Sequence, residues 1–280
     1  MRAWLQRFDE FQRSRAWLGF PLAVAKKYSE DQGGYLAATV TYYAFFSVFP
    51  LLLVFVSGLG YVLRGHAHLQ HTILSSALGQ FPVIGHDLQV HALQGSVLAL
   101  ALGGAASLWA GMGVFVSAEY AMDKVWDVPR DERPGFVAAR LRALGLLVLL
   151  GTGALAVTVV GSIASSGASL GIAWKIGAVA LSIALDFGLF WVALRLLTAK
   201  DVSWRMIRGG AIAAAIAYEI LQLVGGYYVG HIVNHASNTY GTFALVIGLL
   251  SWIYLSAHIL LLVAEGNVVA TRRLWPRALL

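Results

Sequence analysis

Long apolar runs separated by short polar and basic stretches dominate the chain. Six of them, at 37–63, 96–118, 141–164, 175–197, 207–230 and 242–264, reach the roughly 20 residues needed to cross a hydrocarbon core of about 30 Å. A lone segment in lipid satisfies its own backbone only as a helix. The pattern predicts an all-α polytopic membrane protein with six transmembrane helices and little chain left for a separate soluble domain. It divides the sequence into a cytoplasmic interfacial segment at 1–36, a six-helix domain at 37–264 and a basic cytoplasmic tail at 265–280.

Orientation follows from the basic residues, because Lys and Arg in short loops stay on the cytoplasmic side. Only Arg64 and Lys175 fall on one side of the predicted membrane. Every other Lys and Arg lies in the N-terminal segment, the loops near 119–142 and 195–208, or the tail. Both termini are expected to be cytoplasmic.

The N-terminal segment has no continuous apolar h-region and no cleavage site, so it is expected to be retained. Trp4, Phe8 and Phe11 recur at i, i+4 and i+7 among Arg7, Arg13 and Arg15, which suits an amphipathic helix lying in the inner headgroup layer. Pro21 is expected to end that helix before a second short helix leads into the first span.

Composition agrees with the pattern. Of 280 residues, 59% are hydrophobic and 12% charged, against about 25% charged in soluble domains, and the mean hydropathy is +0.72. The formal charge of +6 follows from the asymmetric loops and points to lipid headgroups rather than nucleic acid. There is no cysteine, which removes disulfides, thiolate metal sites and thiol nucleophiles. Nucleotide-binding and hydrolase motifs are missing as well. The sequence gives no reason to expect a cofactor, a bound metal or an enzymatic activity.

Within the first span, "TYYAFFSVFPLLLVF" places Pro50 inside an apolar helix. Proline lacks the backbone donor and its ring collides with the carbonyl four residues back, here Phe46, so a kink is expected. Ser47, or a polar group from a neighbouring helix, is the candidate partner for the freed carbonyl. Tyr43, Ser47 and Pro50 share one face, which should point into the bundle.

These residues carry a resemblance. "AATVTYYAFFSVFPLLL", "AMDKVWDVPRDERPGFVAARLRAL" and "YGTFALVIGLLSWIYLSAHILLLVAEGNVV" resemble the YihY/BrkB family of bacterial inner-membrane proteins, once labelled ribonuclease BN. The resemblance covers essentially residues 25–270. It departs at Val263, where the family has Gly before Ala264 and Glu265, and at Asp123, where Asn is usual. The resemblance implies a six-span inner-membrane protein of a family described as candidate transporters and linked by name with virulence. It implies no substrate.

A ribonuclease would need an acidic metal site or a His pair beside a basic track. Glu119, Asp123 and Asp127 fall at i, i+4 and i+8 near the cytoplasmic face, but Lys124, Arg130 and Arg133 are interleaved. A solvated, charged helix end is the simpler expectation.

Two acids stand where water should be scarce. Asp186 lies midway along the fourth span and Glu219 midway along the fifth, each costing about 2.5–3.5 kcal/mol on an insertion scale. Ser182 shares a face with Asp186, and Gln222 and Gly226 share one with Glu219. On the last span Ser251, Tyr254, His258 and Glu265 form a polar stripe. Two readings stay open: a substrate or proton path through the bilayer, or interhelical hydrogen bonds that lock the bundle. The first predicts an inner-membrane transporter or exporter of a lipid-like or amphipathic solute, and the second a scaffold for envelope assembly. A cavity open to one side would favour transport, and a filled core the scaffold.

His66, His68, His71, His86, His91, His231 and His235 all fall in predicted outer loops. The HxHxxH run could bind zinc, but without a nearby carboxylate it reads as solvated loop. Asn234, Asn238 and Tyr240 could line an outer mouth or form a turn. Gly145, Gly151, Gly153, Gly209, Gly210 and the pair Gly226 and Gly230 permit close helix packing or contact with a second copy in a homo-oligomer. Three spans repeated in inverted orientation would suit a transporter, although the two halves show no similarity in sequence.

Overall fold

The computed structural model describes residues 11–12, 15–62, 97–166, 171–198, 202–228 and 242–277, and these are helical with no strand among them. A 15-residue helix, α1 (Ala16–Glu30), precedes six long ones: α2 (Gly33–Val62), α3 (Val97–Val125), α4 (Phe136–Ser166), α5 (Ile172–Leu196), α6 (Trp204–Tyr228) and α7 (Thr242–Thr271). Each expected span thus corresponds to one long helix. By length and apolarity, Phe136–Val157 of α4 and Val246–Thr271 of α7 are able to cross a membrane.

Pro21 does not end the first helix, contrary to the expectation. It sits in the sixth position of α1, where its missing donor leaves only the carbonyl of residue 17 without a helical partner. Trp17 is on the exposed side, so water or a headgroup can take that carbonyl. The helix stops instead at Asp31 and Gln32. Asp31 donates its N–H to Lys27 O at 2.9 Å, and Gln32 adopts a left-handed φ of 58°, reversing the chain into α2. That helix is continuous through position 50.

The loop from α3 to α4 is similarly tight. Asp127 is left-handed at φ 52°, Val128 donates to Asp123 O at 2.8 Å, and one 3-10 turn (Arg130–Glu132) follows.

Each long helix packs against the next, and α7 returns to α2, so the six close into a ring. α7 also reaches across to α3, and α1 lies against α7 and α2. The main core gathers at the end of the ring that carries the basic loops. There Leu36 and Ala37 meet Met122, Val125 and Trp126, Leu146, Leu194, Ile207, and Leu261 and Val268. A second cluster of Val48, Leu221, Leu249, Trp252 and Ile253 joins α2, α6 and α7.

The outer surface is apolar in stripes. Ile212, Ile216, Ile220 and Val224, four residues apart on α6, are all exposed, as are Leu141, Val148 and Leu149 on α4. A soluble monomer rarely shows such continuous apolar faces, whereas lipid matches them.

Some glycines set the packing as expected. A Cβ at Gly210 would come within 2.9 Å of Asn267, and one at Gly153 within 2.9 Å of Leu189. Gly145 and Gly151 face open space instead, and Gly230 lies outside the described residues.

Candidate functional site

The two acids singled out in the fourth and fifth spans meet. Asp186 of α5 is buried and Glu219 of α6 half-buried, and the two carboxyl groups lie close enough to interact across the α5 to α6 contact. Tyr218, preceding Glu219, lies within electrostatic range of both acids. Its hydroxyl accepts from Gln222 Nε2 at 3.1 Å, and its ring packs edge-on against Phe190, with centroids 5.6 Å apart. Beside Tyr218 lies a cavity of about 20 Å³, lined also by Leu221, Ser256, Ile259 and Leu260, room for roughly one water.

The stripe on α7 divides. Ser256, Ile259, Leu260 and Val263 face this cavity, and Ser251 and Tyr254 are exposed. His258 turns toward α1, where Nδ1 lies 2.6 Å from Tyr28 Oη and the Tyr254 ring is 5.8 Å away. Glu265 is completely buried, with Oε2 3.1 Å from Lys27 Nζ. The structure therefore brings Asp186, Glu219 and Gln222 together and assigns His258 and Glu265 to a second cluster beneath α1.

Sequence reasoning missed the partners in that cluster. Gly19, Ala23, Lys27 and Asp31 recur every four residues and are all buried, so the charged pair continues the apolar stripe of α1. That spacing was the available signal. Lys27 is paired with Asp31 and donates to Val125 O at the end of α3, at 2.8 Å. Burial pulls the Lys27 pKa down, but the hydrogen bond it donates to Asp31 and the charge of Glu265 outweigh it, leaving the ammonium above its ordinary value. Burial, with smaller contributions from Tyr254 and Glu265, pushes the Tyr28 phenol up to about 12, so its hydroxyl keeps its proton beside His258.

Three further expectations change. Glu119 and Asp123 are buried, not a solvated helix end. Glu119 Oε1 lies 2.9 Å from Arg142 Nη1 of α4. Only Asp127 is exposed, and it pairs with Arg272 at 2.7 Å. Ser47 donates to Ala44 O at 2.8 Å and not to the carbonyl of Phe46, because a serine hydroxyl in a helix reaches back three or four residues. Ser47 is buried, but Tyr43 is partly exposed, its ring lying over Gly113. Trp4 and Phe8, the outer-loop histidines, and Asn234, Asn238 and Tyr240 lie outside the described residues, as does the Pro50 side chain.

The family described as Virulence factor BrkB matches residues 24–278. The chain belongs to this BrkB family. Among its curated relatives, "Inner membrane protein YhjD" of Escherichia coli (strain K12) is 26% identical over 91% of this chain and 82% of its own length. A UPF0761 membrane protein of Psychrobacter sp. (strain PRwf-1) is 25% identical over 93% of this chain, which spans only 51% of that relative. "Putative ribonuclease-like protein YfkH" of Bacillus subtilis (strain 168) is 24% identical over 91% of this chain and 96% of its own length. No solved structure matches. The BrkB family match, these names and the exposed apolar stripes make this a bacterial membrane protein. Among the described residues no three His, Asp or Glu side chains are grouped to hold a metal ion.

Proposed function

We propose that this BrkB-family protein is a multi-pass inner-membrane transporter or exporter, with six spans and both termini cytoplasmic, acting on a lipid-like or amphipathic solute without enzymatic chemistry. The observation that carries the reading is the Asp186 and Glu219 contact. Two carboxyls brought together at mid-depth in adjacent helices cost insertion energy twice. They form a site that can exchange a proton or hold a cationic part of a solute. Gln222, Tyr254, Tyr43 and Ser47 are further candidate contacts for such a path, with membrane lipids as its surroundings.

A specific observation favours a second reading, a non-transporting scaffold for envelope assembly. The basic end of the ring is filled by its core, and the cavity beside Tyr218 admits little more than one water. In a scaffold the acid pair would serve only to bind α5 to α6.

The isosteric double variant Asp186→Asn/Glu219→Gln separates the two. An amide pair still hydrogen-bonds but cannot ionise, so a transporter should lose complementation of an envelope-stress phenotype in a deletion strain while keeping its melting temperature. Full complementation by that variant would move the conclusion to the scaffold.

A further inference from the structure

The buried stripe of α1 begins with small residues, Gly19 and Ala23, and ends in charge, Lys27 and Asp31. An element meant only to brace the ring would gain more from a leucine at position 27, because burial of an apolar side chain carries no charge-desolvation cost, whereas a buried ion pair roughly breaks even. The Lys27 ammonium faces two carboxylates, Asp31 and Glu265, and ties α1 to α7 and, through Val125 O, to α3. A second link, Tyr28 to His258 at 2.6 Å, lies on the adjoining face. Between α1 and α2 there are only Asp31 and the left-handed Gln32, a short hinge. The exposed side of α1 presents Trp17, 69% exposed, a residue type that settles at a headgroup layer. The helix thus has two places to rest: under the ring, or on the inner membrane surface.

We propose that α1 is a gate at the cytoplasmic end of the six-helix ring, held shut by the Lys27 and Glu265 ion pair and the Tyr28 and His258 hydrogen bond. Its purpose rests on the transport reading, but its movement can be measured without any substrate. With α1 docked, Ala23 is sealed against the ring and Tyr28 packs on the core that fills its cytoplasmic end. With α1 lifted onto the membrane surface, Ala23 and the ring's inner end meet water.

The test uses inverted membrane vesicles, which present the cytoplasmic face to an impermeant, charged thiol reagent. The chain has no native cysteine, so single reporters are clean. Ala23→Cys reports docking of α1, Ser47→Cys reports access to the interior, and Asp131→Cys, exposed in the α3 to α4 loop, checks orientation. Both buried reporters should label slowly in the otherwise unaltered chain. They should label about tenfold faster with Tyr28→Phe or Lys27→Met, the loss expected for one buried charged or short hydrogen bond. If Lys27→Met does not insert, Tyr28→Phe alone decides, because it removes a single hydroxyl.

Faster labelling at position 23 without a change at 47 would overturn the gate, since α1 would then detach without opening anything. No acceleration at either position would make α1 a permanent brace, and rapid labelling at 47 with the latch intact would show the end already open. A transport reading lost through the Asp186→Asn/Glu219→Gln variant would leave these rates untouched, so the two failures are distinguishable.

Discussion

Arg142 and Glu119 join α4 to α3 at 2.9 Å, and the same guanidinium caps the end of α5 by donating to Leu196 O and Thr198 O, each at 3.0 Å. One side chain thus pairs with a buried carboxylate and satisfies two helix-end carbonyls. Replacing it with Met should cost about 3 kcal/mol, because the carboxylate is left unpaired in the interior. The melting temperature of the purified protein in detergent measures this. Adding Glu119→Gln should recover part of the loss, and an unchanged single variant would show that water reaches Glu119.

Gly225 lies directly under the Trp252 indole, where an added Cβ would come within 2.0 Å of Cη2. Trp252 is in the packed cluster between α2, α6 and α7 and has little room to withdraw. Gly225→Ala is expected to destabilise by about 1–3 kcal/mol through overpacking. Combining it with Trp252→Phe should restore part of the stability, and simple additivity of the two losses would refute the contact.

Lys27 gives a pH signature. Its folded pKa is raised above the ordinary 10.5, so its stabilising contribution is complete below that value and is lost as pH rises through the higher folded one. Burial pushes the Glu265 carboxyl up to about 8, so the melting-temperature gap between wild type and Lys27→Met should widen as Glu265 ionises, hold steady from about pH 9 to about pH 10 and narrow above it. A gap that does not narrow on the alkaline side would mean that Lys27 does not control the pair.

Topology is open to the same cysteine chemistry. Ser75→Cys should react with an impermeant reagent in intact spheroplasts, and Asp131→Cys only after the inner membrane is permeabilised. The opposite result would reverse the orientation drawn from the Lys and Arg asymmetry.

The sequence by itself determined the helices, because apolar runs of spanning length have only one backbone solution in lipid. It determined the family through the residues around Pro50 and the element ending at Glu265, and it picked out Asp186 and Glu219 because charge in an apolar run stands out against its surroundings. The sequence could not decide which polar groups meet. Asp186 and Glu219 are 33 positions apart and come together only because α5 and α6 pack side by side. His258 and Glu265 looked like members of the same path, but the angle of α7 in the ring turns them toward α1, to Tyr28 and Lys27. Glu119 and Asp123 read as solvated because charge at a helix end usually is; burial depends on what packs over that end, and α4 with Arg142 does so here. Likewise Pro21 was tolerated because its unpaired carbonyl faces outward. Helix formation is a local property of the chain, whereas the partner of a buried charge is fixed by which faces of distant helices the ring brings into contact.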